Sequence, residues 1–577
     1  MAYGVSRGGM DPRRIHVIPR ELADHGGDGA VLAWVEARDP DLVGFTCSMW
    51  NLRRNAWLAG KIRTALPRTR TLAGGPEIAP GQPVLSDPVF DALVLGEGER
   101  AFLEVLRDLR GSGRLRRLYR EGPLLALDDV PNPYLAGTME RLPHDPLYLE
   151  TVRGCAHRCS YCFYGKSYPG LRFFPRRVVR EIFPWARAHG VPEIYVMDPS
   201  FTGAPRWEER LRLMASLNES RIPLHTEIRL EAVTDDRRAD LFAEAGFRSV
   251  EAGLQSTNAR ALKAVNRSWR REAFLRGARL LRERGIVVKT GIILGLPEDG
   301  TADFAATLDF LAESGLSRDA EIYPLSVLPG TVLRKEAAAR GIRFLSWPPY
   351  WVLSTPNLSE SDMRASIREA EGRFGIDFFP PVPPHFRDEC GGFAGFIDLR
   401  RQAAFEETRA QPQRLANSLT LLLAARQLRI PGFGEALGAW FLRVTPNSLF
   451  QVVVESDSPL APEDEDMLGE AFHEPGHWFN QAHLFSPDPQ GRFSVRLFRL
   501  AKGSDAAAVI ARSRAAGETA DLVMRAGPRL LEKGRPTLRA EMPFLLVERG
   551  MDGRTRRRIE NLYRCHERLL LEADRPV

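Results

Sequence analysis

Short apolar runs alternate with amphipathic stretches along the N-terminal part of the chain. Segments 14–18, 41–46, 69–73 and 91–95 have the length and aliphatic character of strands. Between them, 28–38, 51–66 and 100–109 repeat apolar positions at helical spacing, with Val31, Leu32, Trp34 and Val35 on one side of the first. This alternation predicts a Rossmann-like open α/β sheet over 1–112. Glycine turns follow two of the strands, Gly74-Gly75-Pro76 and Gly96-Glu97-Gly98-Glu99, at the carboxyl ends where such sheets hold ligands. Gly111, Gly113, a basic run and the Pro-containing stretch 128–133 break the periodicity, so 113–146 reads as a linker. From residue 147 the alternation resumes with longer units. Strands are expected at 147–152, 193–197, 224–228, 249–254, 287–294 and 321–327, with helices at 176–188, 207–217, 235–245, 271–284 and 302–314. Repeated βα units imply right-handed crossovers and a (βα)6 partial TIM barrel over 147–345, with its chemistry at the strand C-termini. Proline-rich connectors follow. The rest, 346–577, reads as an α+β domain with helices at 401–428 and 553–573 and strands at 449–455, 492–499 and 541–548.

Composition narrows this little. In 577 residues, 44% are apolar and 27% charged, which excludes a disordered or fibrous chain. Lys and Arg total 80 against 74 Asp and Glu, a net charge of +6, with no basic stripe, so no nucleic-acid partner is expected. No apolar run is long enough for a membrane span, and the first residues lack the apolar region of a secretory signal. The expected setting is the cytoplasm.

Six cysteines are too few and too uneven for a disulfide framework. Cys155, Cys159 and Cys162, however, are spaced Cys-x3-Cys-x2-Cys after the first strand of the long-unit series. Core packing is disfavoured because Arg153, Gly154, Arg158 and Ser160 surround them. Zinc would want a fourth ligand, and His157 lies between two of the cysteines where it would strain the loop. An iron–sulfur cluster with one iron uncapped suits three thiolates in a reducing compartment. Elsewhere the signals are weaker. Cys390 lies in a Gly-rich turn, where a thiol is more often incidental. His473, His477 and His483 are separated by Pro475 and Gly476, which break any shared helical face, so no metal site is expected there. The basic run 554–558 reads as a solvated helix face.

Cys-x3-Cys-x-aromatic-Cys at the end of a first βα strand resembles the radical S-adenosylmethionine (SAM) superfamily. The resemblance implies that Cys155, Cys159 and Cys162 ligate a 4Fe–4S cluster, with SAM on the fourth iron and Tyr161 beside the adenine. Three further stretches resemble the same family. Gly291-Ile-Ile293-Leu-Gly295-Leu-Pro-Glu298 fits its Gly-x-Ile-x-Gly-x-x-Glu pattern near the adenine. Gly253-Leu-Gln255-Ser256 resembles its fourth-strand Gly-Leu-Gln-Ser stretch, so Gln255 and Ser256 would face SAM or substrate. Asp198 ends the second strand, where the family places polar groups for the SAM amino group, although its usual Gly-Gly-Glu is replaced here. Glu227 and Arg229 at the third strand end are either SAM contacts or structural charges at the rim.

The N-terminal turns resemble the cobalamin-binding domain of one branch of this superfamily, a doubly wound sheet. Thr46, Ser48, Gly74, Gly75, Gly96, Glu97 and Gly98 would then approach cobalamin, the glycines because a Cβ would clash. The Asp-x-His-x-x-Gly motif of histidine-ligated cobalamin is absent; His25 comes nearest and fails the spacing. A cofactor-free Rossmann-like domain is the plainer alternative. Only residues 1–12 precede the first expected strand, so the first strand of the family's sheet is expected to be missing. The resemblance implies a cobalamin-dependent radical SAM enzyme that methylates an unactivated carbon of a natural-product or peptide substrate, through a 5′-deoxyadenosyl radical and methylcobalamin. It also implies an electron donor such as a flavodoxin or ferredoxin. The competing functions are radical cyclisation, rearrangement or oxidation without methyl transfer, and a non-catalytic cobalamin- or metal-binding regulator.

Overall fold

The computed structural model describes residues 1–111, 113–120, 122, 124–139, 141, 144–164, 170–380, 382–386, 389–486, 490–501, 506–525, 544–547 and 569–571. Contacts divide the chain into two compact units. The first holds Met1–Val17, Leu42–Leu52 and Arg70–Phe378; the second holds Ile18–Asp41, Arg53–Thr69 and Phe379–Val577.

The first unit contains two parallel sheets. One is β1 (Leu42–Thr46), β2 (Arg70–Gly74), β3 (Ala92–Leu95) and β4 (Leu118–Arg120), paired in that order. Helix Gly98–Gly111 packs on it through Ala101 and Val105, which meet Leu72, Ala92, Val94 and Tyr119. Three expectations are corrected here. Residues 14–18 form no strand: Ile15 N–H closes a turn on the Pro12 carbonyl, Pro19 follows, and Val17 is exposed. Part of the expected linker is β4, because Tyr119 is wholly buried between flanking arginines that disguise the strand. The strands follow one another across the sheet without the reversal of order that a doubly wound sheet requires.

The second sheet of this unit runs β5 (Leu147–Leu149), β6 (Ile194–Val196), β7 (Leu224–Glu227), β8 (Phe247–Gln255), β9 (Val287–Leu294) and β10 (Ala320–Pro324), all parallel and in sequential order. Helices Arg176–Ala188, Trp207–Leu217, Asp236–Ala245, Arg271–Arg282 and Thr301–Glu313 connect the strands from β5 to β10. Burial alternates along each strand. In β9, Val288, Thr290, Ile292 and Leu294 are buried while Lys289, Gly291 and Ile293 are less so. One face therefore packs against helices, and the other presents Tyr148, Tyr195, Glu251, Lys289 and Tyr323.

The second unit is also parallel α/β, which corrects the expected α+β C-terminal domain. Strands β11 (Phe393–Asp398), β12 (Leu415–Ala424), β13 (Leu449–Ser456), β14 (Val495–Ala501), β15 (Asp521–Arg525), β16 (Phe544–Val547) and β17 (Leu569–Leu571) pair in sequential order and in parallel. The expected helix at 401–428 is really helix Gln402–Ala410, a turn at Pro412–Arg414 and then β12, whose continuous apolar run is buried on both faces. Leu419, Leu421 and Leu423 lie in one core, Leu422 in the other. Of the helix expected at 553–573, residues 569–571 are strand and the remainder lies outside the described residues, as does 554–558. Asp28, fully buried, anchors helix Asp28–Glu36 within this unit. It pairs with Arg54 at 2.8 Å and accepts two hydrogen bonds from Asn447 at 3.0 Å.

Candidate active site

The three cysteine thiols lie on a loop that leaves the short strand Val152–Arg153 through Gly154, whose φ is 97°. None of the three is in a disulfide; Cys159 is buried, and Cys155 and Cys162 are partly so. The loop is tied down by its backbone. Ser160 N–H donates to the Val265 carbonyl, Leu333 N–H donates to the Ser160 carbonyl, and the Asn266 amide donates to the Arg158 carbonyl at 2.8 Å. Burial pushes the Cys155 thiol up from its ordinary pKa. Among the described residues, no three His, Cys, Asp or Glu side chains converge as ligands of a single ion would.

Arginines surround this loop. Arg267 reaches Cys159 Sγ at 3.8 Å and also donates to the Gly253 carbonyl, while its Nε is buried with no partner. His157 Nε2 and Ser160 Oγ are likewise buried and unsatisfied. Such orphaned polar atoms beside three thiols fit a bound polar or anionic group such as a thiolate-ligated cluster. Arg229 donates to the Ser268 carbonyl, and burial together with Arg267 lowers its pKa.

Gly253 on β8 and Gly291 on β9 are paired in register. A Cβ on Gly291 would meet nothing nearer than Gly253 Cα at 3.8 Å. A Cβ on Gly253 would strike the Gln255 amide at 2.0 Å and approach Arg267. The side chains of Gln255 and Arg267 therefore fold over Gly253, while the sheet at Gly291 carries no side chain above it. Gln255 and Glu298 both hold positive φ, 73° and 67°, after these glycines. Backbone strain of this kind clusters at ligand sites. Tyr161 and Ile293 pack against one apolar cluster that includes Val327, Leu333 and Val352. Glu227 lies at the strand end with Glu251 beside it in register, and enclosure and that like charge push its carboxyl above the usual range.

Other expected site residues do structural work. Asp198 is buried and accepts hydrogen bonds from Thr151 N–H at 2.8 Å, Val152 N–H at 2.9 Å and the Thr151 hydroxyl, so it braces the start of the cysteine loop. Ser256 is buried and donates to Asp299 at 3.3 Å, and Asn258 binds the same carboxylate at 3.1 Å. Gly295, at φ 92°, lies under Met363, where a Cβ would come within 3.1 Å.

The N-terminal turns meet the cysteine loop through an ionic node. Arg153 pairs with Glu97 at 2.8 Å, with Glu99 at 3.0 Å and with Glu150 at 3.0 Å, and Arg172 binds the other oxygen of Glu97. Glu97 is only 9% exposed and both its oxygens are engaged. Gly75, at φ 102°, closes on the backbone of Cys47, whose carbonyl would lie 2.8 Å from a Cβ there. Ser48 N–H donates to Asn51, and the Gly74 carbonyl accepts from Cys47 N–H. Thr46 is exposed and Gly98 borders open space, so these two leave the sheet edge accessible. Gly96 turns at φ 90°. Sequence reasoning missed Arg153, Arg267 and Asp299, whose partners lie far along the chain.

Residues 149–311 match the family model described as the radical SAM superfamily. The chain carries a radical SAM domain. That domain brings with it a 4Fe–4S cluster and SAM, and the cysteine loop and the glycine pair both fall within 149–311. The chain is 29% identical over 330 residues to the cobalamin-dependent radical SAM methyltransferase TokK of Streptomyces tokunonensis, covering 51% of this chain and 48% of that protein. It is 28% identical over 394 residues to the 2-(S-pantetheinyl)-carbapenam-3-carboxylate methyltransferase of Streptantibioticus cattleyicolor, covering 62% and 56%. It thus spans about half the length of the curated relatives it matches. The solved methyltransferase TsrM of Kitasatospora setae gives a TM-score of 0.49 at 18% identity, over 60% of this chain and 81% of that one. No helix among the described residues is long and apolar enough to cross a membrane.

Outside the radical SAM domain, His477 and His483 serve the fold. His477 Nδ1 accepts from Phe479 N–H and its Nε2 faces the Asn447 carbonyl, while His483 stacks on Phe479 and Phe493. Residues 389–390 form a short antiparallel arm on β11; the Cys390 side chain lies outside the described residues.

Proposed function

We propose that this chain is a cobalamin-dependent radical SAM methyltransferase acting on an unactivated carbon of a small-molecule or peptide substrate. The observation that carries the reading is the pairing, in one unit, of a tethered three-thiol loop with the paired glycines Gly253 and Gly291, where Arg267 joins Gly253 to Cys159. The two methyltransferase relatives point the same way. Cys155, Cys159 and Cys162 would hold the cluster, and the six-stranded sheet would curve as a partial barrel around SAM. With both cofactors bound, the cluster and SAM supply a radical that removes hydrogen, and the corrin supplies a methyl group.

The chain's own residues position and enclose. Asp198 and the Val152–Arg153 strand fix the loop, and Gln255, Gly291, Ile293 and Glu298 shape the adenosyl floor. Glu227 and Arg229 would meet the polar part of SAM. Thr46, Gly96 and Gly98 would take the corrin at the edge of the four-stranded sheet, with Gly74, Gly75 and Ser48 shaping the turn beneath. Glu97 serves this reading through Arg153 and Arg172. That Cys47, Cys155, Cys159 and Cys162 form no disulfide suits a reducing compartment, and we place the chain in the cytosol.

The test is anaerobic reconstitution with iron, sulfide and hydroxocobalamin, followed by SAM carrying a deuterated methyl group. A product that gains the label supports methyl transfer. 5′-Deoxyadenosine formed with an unlabelled product moves the chain to radical rearrangement or oxidation. Neither cluster nor SAM cleavage would end the enzymatic reading.

A further inference from the structure

The second unit carries a cavity of its own. Helix Gln402–Ala410 and helix Phe433–Val444 border about 320 Å3, at the lower end of the roughly 300–1,000 Å3 typical of small-molecule pockets. Leu437, buried in the core of this unit, lines it. So do Phe405, Phe433 and Trp440, which pack against that core while staying partly exposed. The Phe405 and Trp440 rings meet edge to face with 5.6 Å between centroids, which fixes both. Ala436 and Ala439 are exposed and too short to fill the space beside the rings. The charge on this lining is one-sided: it includes Arg409 and Arg443 and no acidic side chain. Both arginines are exposed, and among the described residues Arg443 pairs with no carboxylate. Arg409 has Glu406 at 3.9 Å, beyond hydrogen-bond reach, and lies 5.7 Å from the centre of the Phe405 ring. Arg400, Arg496 and Arg499 of the same unit, by contrast, each bind a carboxylate. Arg409 and Arg443 sit in the last turns of their helices, where carbonyl ends favour a cation. That explains their places along the helices, but not why both border one aromatic cavity.

We infer that this cavity is a binding site for a small carboxylate with an apolar, ring-sized body. The aromatic rings and Leu437 take the body, whose apolar surface leaves water as it enters. The arginines take the charge: a guanidinium offers a planar fork of N–H donors, and a carboxylate accepts from such a fork through both oxygens. A cationic ligand is repelled here, and a neutral one forfeits the charge-assisted bonds. A hollow of this size admits one ring system, whereas a stable protein contact spreads over about 800 Å2 on each partner. The cavity lies wholly in the second unit, and residues 149–311 contribute nothing to its lining. The inference therefore stands apart from the radical SAM reading and from methyl transfer.

The probe is 2-naphthoate, titrated by calorimetry into the full chain, where saturable binding is expected. Two analogues keep its body and change its charge: 2-naphthalenemethanol and 2-naphthylmethylammonium. Each is expected to bind about tenfold more weakly or worse. This series on wild type needs no variant. The double variant Arg409→Gln/Arg443→Gln should weaken naphthoate about tenfold and leave the alcohol unchanged. Ala439→Phe, which places a ring in the cavity, should abolish binding. All three substituted side chains are exposed, so urea midpoints should stay at the wild-type value and verify that the variants fold. The proposal is overturned if wild type binds no naphthoate at low millimolar concentration, if either analogue binds as tightly as the carboxylate, or if either variant binds naphthoate like wild type. Sedimentation supplies a further outcome: a wild-type dimer that Ala439→Phe converts to monomer would make this face a contact between copies of the chain, and the ligand site would fall.

Discussion

Cys155, Cys159 and Cys162 fall within eight residues on one loop, so their spacing singles them out in the sequence. Replacing the three with alanine is expected to abolish iron incorporation and SAM cleavage, checked by iron and sulfide analysis and by 5′-deoxyadenosine yield. Gly291 makes a finer test. A Cβ there makes only an ordinary contact with Gly253 Cα at 3.8 Å, so Gly291→Ala should keep its melting temperature yet weaken SAM binding about tenfold, or about 1.4 kcal/mol. Calorimetry with SAM reads the loss; unchanged affinity would remove the glycine pair from the site. Asp299 carries a pH signature. Burial pushes its carboxyl up to about 6, against hydrogen bonds from Ser256 and Asn258. The folded protein therefore holds this proton more tightly than the unfolded chain, whose aspartates titrate near 4. This contribution to stability is full below about pH 4 and is lost as pH rises to about 6. Asp299→Asn should remove that slope, on the order of 2 kcal/mol, in urea titrations across the window. Arg267 and Asp299 escaped the sequence reading because nothing local marks them: each gains meaning only when a strand end meets a distant loop.

Strands and helices of the six-stranded sheet were readable because each carries its own period and its own stop signals. Helices Arg176–Ala188 and Trp207–Leu217 fall where the apolar spacing places them. Readability failed where burial is two-sided or charge intrudes. Strand β12 shows a run of leucines that a helix core also shows, and β4 hides Tyr119 among arginines. The contact between the Gly96–Glu99 turn and the cysteine loop belongs to this scale too. Glu97→Gln would leave Arg153 and Arg172 short of a carboxylate inside a mostly buried node, at a cost of about 3 kcal/mol. Chemical denaturation should show that loss. If the node also sets the loop, iron occupancy after reconstitution without cobalamin should fall as well.

Stability at the scale of the molecule has its own anchors. Arg499 and Glu518 form a fully buried pair at 2.6 Å, with Ser513 and Leu460 completing their hydrogen bonds. Glu518→Gln should cost about 3–5 kcal/mol, read as a lower urea midpoint. SAM affinity should be spared, since the residue belongs to the other unit. What no local pattern could show is how the chain is shared out. Segments Ile18–Asp41 and Arg53–Thr69 join the C-terminal unit although strands β1 and β2, beside them in sequence, join the other.

That interleaving bears on how the protein can be cut, inherited and made. Neither half is a cassette. A fragment beginning at Phe379 leaves behind Asp28 and its helix, stripping cover from β12; it should aggregate when expressed alone and recover solubility when residues 18–69 are supplied in trans. The same stitching means that a single junction in the gene cannot separate the C-terminal sheet from the segments that complete its unit.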